Sequence, residues 1–248
     1  MRAERQAARR AAAVARRRRQ RNTALVALAA VAVVAVVVGA ALVTRGGRKT
    51  DALTSSSAPT ATSPAPTGCR YPAGGKASKR VTGTPPAAGI HATVPVVLTT
   101  NRGEVDLSLD GGKAPCTVGS FGFLAGQAYF DGTSCHRLTT AGIFVLQCGD
   151  PSGTGSGGPG YAFADENLTG ATYPRGTVAM ANAGPGTNGS QFFLVYKATQ
   201  LDPKYTPFGT ITKGLDLLEK VAAGGSTPTG DGKPKIPLVL KKVSARLS

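Results

Sequence analysis

The chain is predicted to be mostly β, an antiparallel barrel or sandwich with two short helices, behind one N-terminal transmembrane helix and a disordered linker. Three observations predict it. Residues 23–43 carry no charge and are almost all Ala, Val or Leu. The stretch after them is built of Ser, Thr, Pro, Ala and Gly. Beyond residue 90 come many short apolar runs parted by Gly, Pro and Asn, with only two runs that suit a helix.

The first segment is a basic tail. The 248 residues carry a formal net charge of +16, which suggests nucleic acid until the charge is located. Residues 1–22 hold nine arginines against one acid, Glu4, whereas from Ile90 onward 13 basic residues face 11 acidic ones, a difference of +2. With no aromatic residue in the tail, it reads as a topology signal resting on anionic lipid rather than as a nucleic-acid contact, and no nucleic-acid partner is expected.

Thr23 to Val43 follows. As a helix it would be about 32 Å long, enough to cross a bilayer core. Arginines before it and only Arg45, Arg48 and Lys49 after it put the N-terminus in the cytoplasm and the rest outside. The rival is a cleaved signal peptide and a secreted product, but the apolar run is long for that, and Gly39-Ala40-Ala41 is a poor cleavage site. Residues 44–89 have few large apolar side chains and cannot repay the entropy of ordering, so they read as a tether.

Residues 90–248 form one domain. Val94 to Thr100 and Gly103 to Asp110 read as strands around a turn at Asn101-Arg102-Gly103. The second alternates Val105, Leu107 and Leu109 with Asp106, Ser108 and Asp110. Thr117 to Gln127 and Leu215 to Ala223 are the helix candidates. Ile143 to Gln147, Thr177 to Ala181, Gln191 to Tyr196 and Pro237 to Val243 are further strands.

The four cysteines fall on the expected outer side, where an even number favours two disulfides with three connectivities open. Cys135 and Cys148 flank a strand–turn–strand unit and suit a cross-strand pair, which leaves Cys69 with Cys116 to pin the tether's end. Structural zinc needs closer cysteine spacing than any present here, so no metal and no cofactor are expected.

Two constellations carry the chemistry. Met180 to Phe193, Met-Ala-Asn-Ala-Gly-Pro-Gly-Thr-Asn-Gly-Ser-Gln-Phe-Phe, sets a floor of small residues beside aromatic rings, which suits an extended peptide. His136-Arg137, Phe144 and Gln147-Cys148-Gly149-Asp150 form the second. One Arg, one Gln and several aromatics can bind and polarise, but supply no nucleophile. Such a site suits a reaction that breaks no covalent bond. Gly153 to Gly160 has the composition of a phosphate loop, yet no Gly-Lys-Ser/Thr follows, so it reads as a surface loop.

Cys135-His-Arg-Leu, Phe144-Val-Leu-Gln-Cys-Gly-Asp, Gly153-Thr-Gly, the run from Met180 to Phe193 and Phe208-Gly209 together resemble the cyclophilin-type peptidyl-prolyl cis/trans isomerases, in order over roughly residues 92–246. The resemblance implies a closed eight-stranded antiparallel barrel capped by two α-helices, with proline-containing polypeptides bound on its outer face. It implies Arg137 as the catalytic residue. Phe144, Val145 (where the family usually has Met), Gln147, Ala181, Asn182, Ala183, Gln191, Phe193, Leu201, Tyr205 (where many members have His) and Phe208 would bind substrate, with His136 structural beside them. Two extra residues between Arg137 and Phe144 depart from the family pattern. With no Trp in the chain and Gln200 at the position where cyclosporin-sensitive members carry one, weak cyclosporin binding is expected. High Ala, Gly and Arg suggest a high-GC, actinobacterial-like source. The expected function is prolyl isomerisation in exported proteins at the outer membrane face. The alternative is a peptide-binding chaperone or scaffold of the same fold with incidental catalysis.

Overall fold

The computed structural model describes residues 68–247. The expected tail, the membrane span at 23–43 and the first part of the linker lie outside them. Among the described residues no helix is long and apolar enough to cross a membrane.

Strands β1 (Thr93–Thr100) and β2 (Gly103–Asp110) form a hairpin, in register from Thr93 opposite Asp110 to Thr100 opposite Gly103. Its turn falls on Asn101 and Arg102, as the sequence predicts. Helix α1 (Pro115–Gly126) follows, then β3 (Thr133–Ser134), β4 (Arg137–Thr139) and β5 (Val145–Cys148). After a long connection come β6 (Thr177–Met180), β7 (Phe192–Val195), β8 (Pro207–Lys213) and helix α2 (Leu215–Ala223). Short β9 (Ser226–Thr227) and β10 (Asp231–Pro234) precede β11 (Val239–Ala245).

All named pairings are antiparallel and join eleven strands in one curled sheet, ordered β3-β11-β1-β2-β8-β6-β7-β5-β4-β10-β9. The expectation of eight closed strands differs from this. The hydrogen-bonded series has two ends, β3 and β9, and its extra members are ladders of two to four residues, too short to show periodicity in the sequence.

Alternation puts one face of each strand inside. Val105, Leu107 and Leu109 of β2 are buried, as are Leu146, Phe192 and Leu194 from β5 and β7. Against them α1 lays Val118, Phe121 and Leu124, and Phe121 meets Phe130, Phe192 and Phe208 at ring-centroid distances of 4.9, 5.3 and 5.7 Å. The first turn of α1 lacks a capping side chain at Ala114. Glu166 takes that role from the long loop, accepting the N–H groups of Cys116 (3.0 Å) and Thr117 (2.7 Å). A carboxylate there satisfies orphan donors and meets the positive end of the helix dipole.

The domain begins earlier than the sequence predicts. Residues 68–89, read as the end of the tether, pack on the domain as a strap. Cys69 is bonded to Cys116, and the Tyr71 hydroxyl donates to the Cys116 carbonyl at 2.8 Å. Gly74 N–H reaches Gly160 O at 2.9 Å, and Ser78 N–H reaches Gly158 O at 2.9 Å. Cys135 and Cys148 form the second disulfide, so the expected connectivity is the one present. The strap's order comes from a cross-link and main-chain bonds to a neighbour, which leave no mark in local composition.

The disulfides close loops with sequence separations of 13 (Cys135–Cys148) and 47 (Cys69–Cys116). On chain entropy they contribute about 3 and 4 kcal/mol. Removing either pair by Cys→Ala substitution is expected to lower stability by about 2–4 kcal/mol in urea unfolding, with the longer loop costing more.

Candidate functional site

The outer faces of four adjacent strands make the site. On β5, Leu146 and Cys148 point into the core, so Val145 and Gln147 point out. On β7 the same rule puts Phe193 and Val195 outside, and on β6 Ala179. The ladders set these side by side: Arg137 opposite Gln147, Gln147 opposite Phe193, and Phe193 opposite Ala179.

Val145, Tyr173, Ala179, Phe193 and Val195 form a second apolar cluster, separate from the core, rimmed by Ile143, Ala181, Leu201 and Tyr205. The Phe193 ring meets Tyr205 edge-on at 5.6 Å and Tyr173 at 6.2 Å. The Tyr173 hydroxyl donates to Tyr205 O at 2.7 Å and accepts Tyr205 N–H at 3.1 Å, which holds the Tyr205 backbone in place.

Beside this cluster lies a directed hydrogen-bond chain. Arg137 Nε and Nη2 each donate to Asp231 at 2.7 Å, and Nη1 donates to Gln147 Oε1 at 3.2 Å. Gln147 donates to Gln191 Oε1 at 2.7 Å. Gln191 donates in turn to the carbonyls of Gly155 (3.0 Å) and Gly157 (2.9 Å). A guanidinium has five N–H groups; three are spent here, leaving two beside the apolar cluster. Its hydrogen bonds to Asp231 raise the affinity of Arg137 for its proton, and the same contact holds the Asp231 carboxyl below the usual carboxylate range.

The glycine loop is wound around Asp150. Burial alone would raise this carboxyl's pKa. Donors from Ser152, Gly157 and Gly155 outweigh it and hold the pKa below the ordinary value. Gly157 is obligatory here, because a Cβ would occupy the space of the Asp150 carboxylate and the Ser78 hydroxyl. His136 lies beneath this loop with both ring nitrogens buried and without partners among the described residues. Burial pushes its pKa down, against the opposing pull of Asp150, so the ring is neutral at pH 7.

Of the residues singled out in the sequence, Arg137, Val145, Gln147, Gln191, Phe193, Leu201 and Tyr205 come together in this patch. Ala181, Asn182 and Ala183 line a cavity of about 630 Å³ that also borders Gln147 and Gln191. The Asn182 side chain is committed to Lys204 O (2.8 Å) and Asp165 (3.3 Å), while no described residue takes its main-chain N–H or C=O.

Two expectations need correction. Phe144 lies on the other side of the sheet, edge-on to Tyr196 at 6.2 Å with Lys197 Nζ 4.5 Å from its ring centre. Strict alternation back from the outward Gln147 puts Val145 outward and Phe144 inward, and Ile143 joins the outer cluster instead. Phe208 is fully buried in the core against Phe121. Asp231, Tyr173 and Ile143 were missed by sequence reasoning. Asp231 stands 94 positions from Arg137, and only the need of a half-buried guanidinium for a counter-charge pointed to such a residue.

A model of the family described as cyclophilin type peptidyl-prolyl cis-trans isomerase matches residues 95–245, leaving the strap outside. The chain is 50% identical over 185 residues to the "Probable peptidyl-prolyl cis-trans isomerase B" of Mycobacterium leprae, covering 67% of this chain and 62% of that protein's length. It is 37% identical over 170 residues to the peptidyl-prolyl cis-trans isomerase A of Mycobacterium tuberculosis, covering 62% of this chain and 92% of that one. A crystal structure of a Cryptosporidium parvum cyclophilin type peptidyl-prolyl cis-trans isomerase in the presence of the dipeptide Ala-Pro superposes with a TM-score of 0.56 at 32% identity, covering 62% of this chain and 99% of that one.

Half-buried His136, with both ring nitrogens out of solvent, sets a pH dependence of stability. Its folded pKa is lowered, so its contribution is whole above about 6.5, the unfolded value, and is lost as pH falls through the lower folded pKa. Urea midpoints are expected to drop between pH 7.5 and 5.5, and His136→Phe to flatten that slope.

Proposed function

The chain belongs to the cyclophilin-type peptidyl-prolyl cis-trans isomerase family, and on that premise we propose that it accelerates rotation about Xaa-Pro bonds, with Arg137 as the catalytic residue. The observation that carries this reading is the guanidinium held by Asp231 and Gln147 with two N–H groups unspent beside an apolar patch.

The chemistry asks little else. Xaa-Pro rotation crosses a barrier of about 18–20 kcal/mol, and reaching ordinary turnover requires lowering it by roughly 2–6 kcal/mol. At the twisted geometry the amide loses conjugation and its nitrogen gains a lone pair. Arg137 would hold the prolyl carbonyl and favour that pyramidal nitrogen, a contact strongest at the top of the barrier. Val145, Phe193, Leu201 and Tyr205 would grip the ring and exclude water. The unpaired main chain of Asn182 would bind the extended substrate by strand addition.

The setting is part of the proposal. The apolar run at 23–43 would anchor the domain at the outer face of the membrane, to act on exported chains, and two disulfides suit an oxidising compartment. Gln200 is exposed at the position where the family's cyclosporin-sensitive members carry Trp, so cyclosporin should bind weakly.

The deciding measurement is cis/trans exchange of an Ala-Pro peptide by NMR with the full-length protein. Wild type should accelerate exchange; no acceleration would overturn the enzyme reading. Arg137→Ala should lower kcat/KM by about 10²–10³-fold, and Arg137→Lys should restore little, since an ammonium cannot share a bidentate fork with Asp231.

Asp231→Asn should lower kcat with little change in KM, because Asp231 orients the guanidinium rather than touching substrate. With Asp231 held ionised and the His136 pKa pushed down by burial, kcat/KM should be flat from about pH 7.5 to 8.5, above the ordinary histidine range. A sloping profile for wild type would show that a titrating group takes part.

A further inference from the structure

The cavity of about 630 Å³ beside Gln147 and Gln191 is built partly by a segment outside the barrel. Its walls are the glycine loop, the turn at Ala181–Ala183 and two strap residues, Gly74 and Lys76. Lys76 is the one residue among its lining with a formal charge. Its side chain is exposed, and it pairs with no carboxylate among the described residues.

The main chain on either side of it is held. Gly74 sits directly on the main chain of Tyr161 and Ala162, with no space for a Cβ: one built there would lie 2.8 Å from Tyr161 C. Ser78 is bonded to Gly158 through both its N–H (2.9 Å) and its hydroxyl (3.1 Å). Lys76 lies between these two fixed points. The neighbouring cation Lys79 is committed elsewhere, to Ala128 O and to Asp131 O at 3.2 Å. The strap from 68 to 89 carries Arg70, Lys76, Lys79 and Arg80 and no acid.

Ala181 borders both this cavity and the apolar cluster around Phe193. A polypeptide with its proline on that cluster therefore places a nearby side chain in the cavity. From this we infer that the strap makes the cavity a subsite for a carboxylate side chain, with Lys76 as the residue that selects it. The inference rests on the isomerase reading above. The substrates it favours are Xaa-Pro segments with Asp or Glu within three residues of the proline. The glycine loop supplies room and main-chain dipoles without charge, so Lys76 alone sets the sign. Two carboxylates touch lining residues from outside the cavity: Asp150 is buried and covered by its own donors, and Asp165 accepts from Asn182, Asn188 and the Gly186 N–H.

The test uses the full-length protein and a set of capped proline peptides in which Glu, Gln or Lys is walked through the three positions on either side of the proline. Exchange of the Gln peptides reports whether the protein is an isomerase at all. At one position the Glu peptide should show a KM roughly 2- to 5-fold below its Gln counterpart, the range for a solvent-exposed ion pair, and the Lys peptide a higher one. Raising salt to roughly 0.5 M should erase the difference. Lys76→Glu should reverse the order, so that the Lys peptide binds best. Turnover of Gln peptides with no Glu preference at any position, or a preference that survives Lys76→Glu, overturns the assignment. Failure to turn over any peptide would instead overturn the isomerase reading on which it rests.

Discussion

Everything at the site depends on the hold on one guanidinium. Asp231 grips Arg137 from β10 with two bonds of 2.7 Å, and Gln147 takes a third from β5 at 3.2 Å. The pair is half exposed, with side-chain accessibilities of 41% and 55%, so it adds little stability. Its worth is geometric. A free arginine samples many rotamers, whereas this one is clamped between two strands with two donors left over. The clamp extends inward through Gln191 to the glycine loop, and that loop is fixed because it wraps Asp150.

The second constraint is that this scaffold is held from outside the barrel. The glycine loop buries a single apolar side chain of its own, Pro159. Its inner side is satisfied by Asp150 and Gln191, and its outer side by the strap through Gly74 and Ser78. The strap in turn has little core, and the Cys69–Cys116 bond ties its start to α1. Covalent closure replaces apolar burial where the residues are too small to supply it. The second bond, Cys135–Cys148, lies in the core one residue from both His136 and Gln147, behind the strands that carry the clamp.

Legibility in the sequence followed the range of the cause. The β2 pattern of Val105, Leu107 and Leu109 was readable because alternation is local. Arg137, Gln147, Gln191 and Phe193 were readable through dense motifs. Phe144 was misplaced because parity along a strand, not similarity of motif, decides its face, and the same parity puts Ile143 beside the outer cluster. Phe208 was misplaced because β8 opens with Pro207 and was not recognised as a strand, so its buried parity went unseen. Asp231 and the strap depend on contacts across 94 and about 80 positions, which no window of sequence contains.

The division of labour among these parts follows from what each can do for a bond rotation. Apolar contact with a proline ring is nearly the same in the planar and twisted amide. Burying the ring on Phe193 and Val145 therefore strengthens binding without lowering the barrier. A lysine at the rim, far from the rotating bond, likewise acts on which chain binds and not on how fast it turns. Only a donor whose contact improves as conjugation is lost can act on the barrier, and Arg137 is the one strong donor in the patch with N–H groups unspent. One preorganised donor is worth about 3–4 kcal/mol in comparable sites, which falls inside the roughly 2–6 kcal/mol the reaction needs. A single well-held arginine is thus sufficient in magnitude, and a site with no nucleophile and no titrating acid or base is what such a reaction requires.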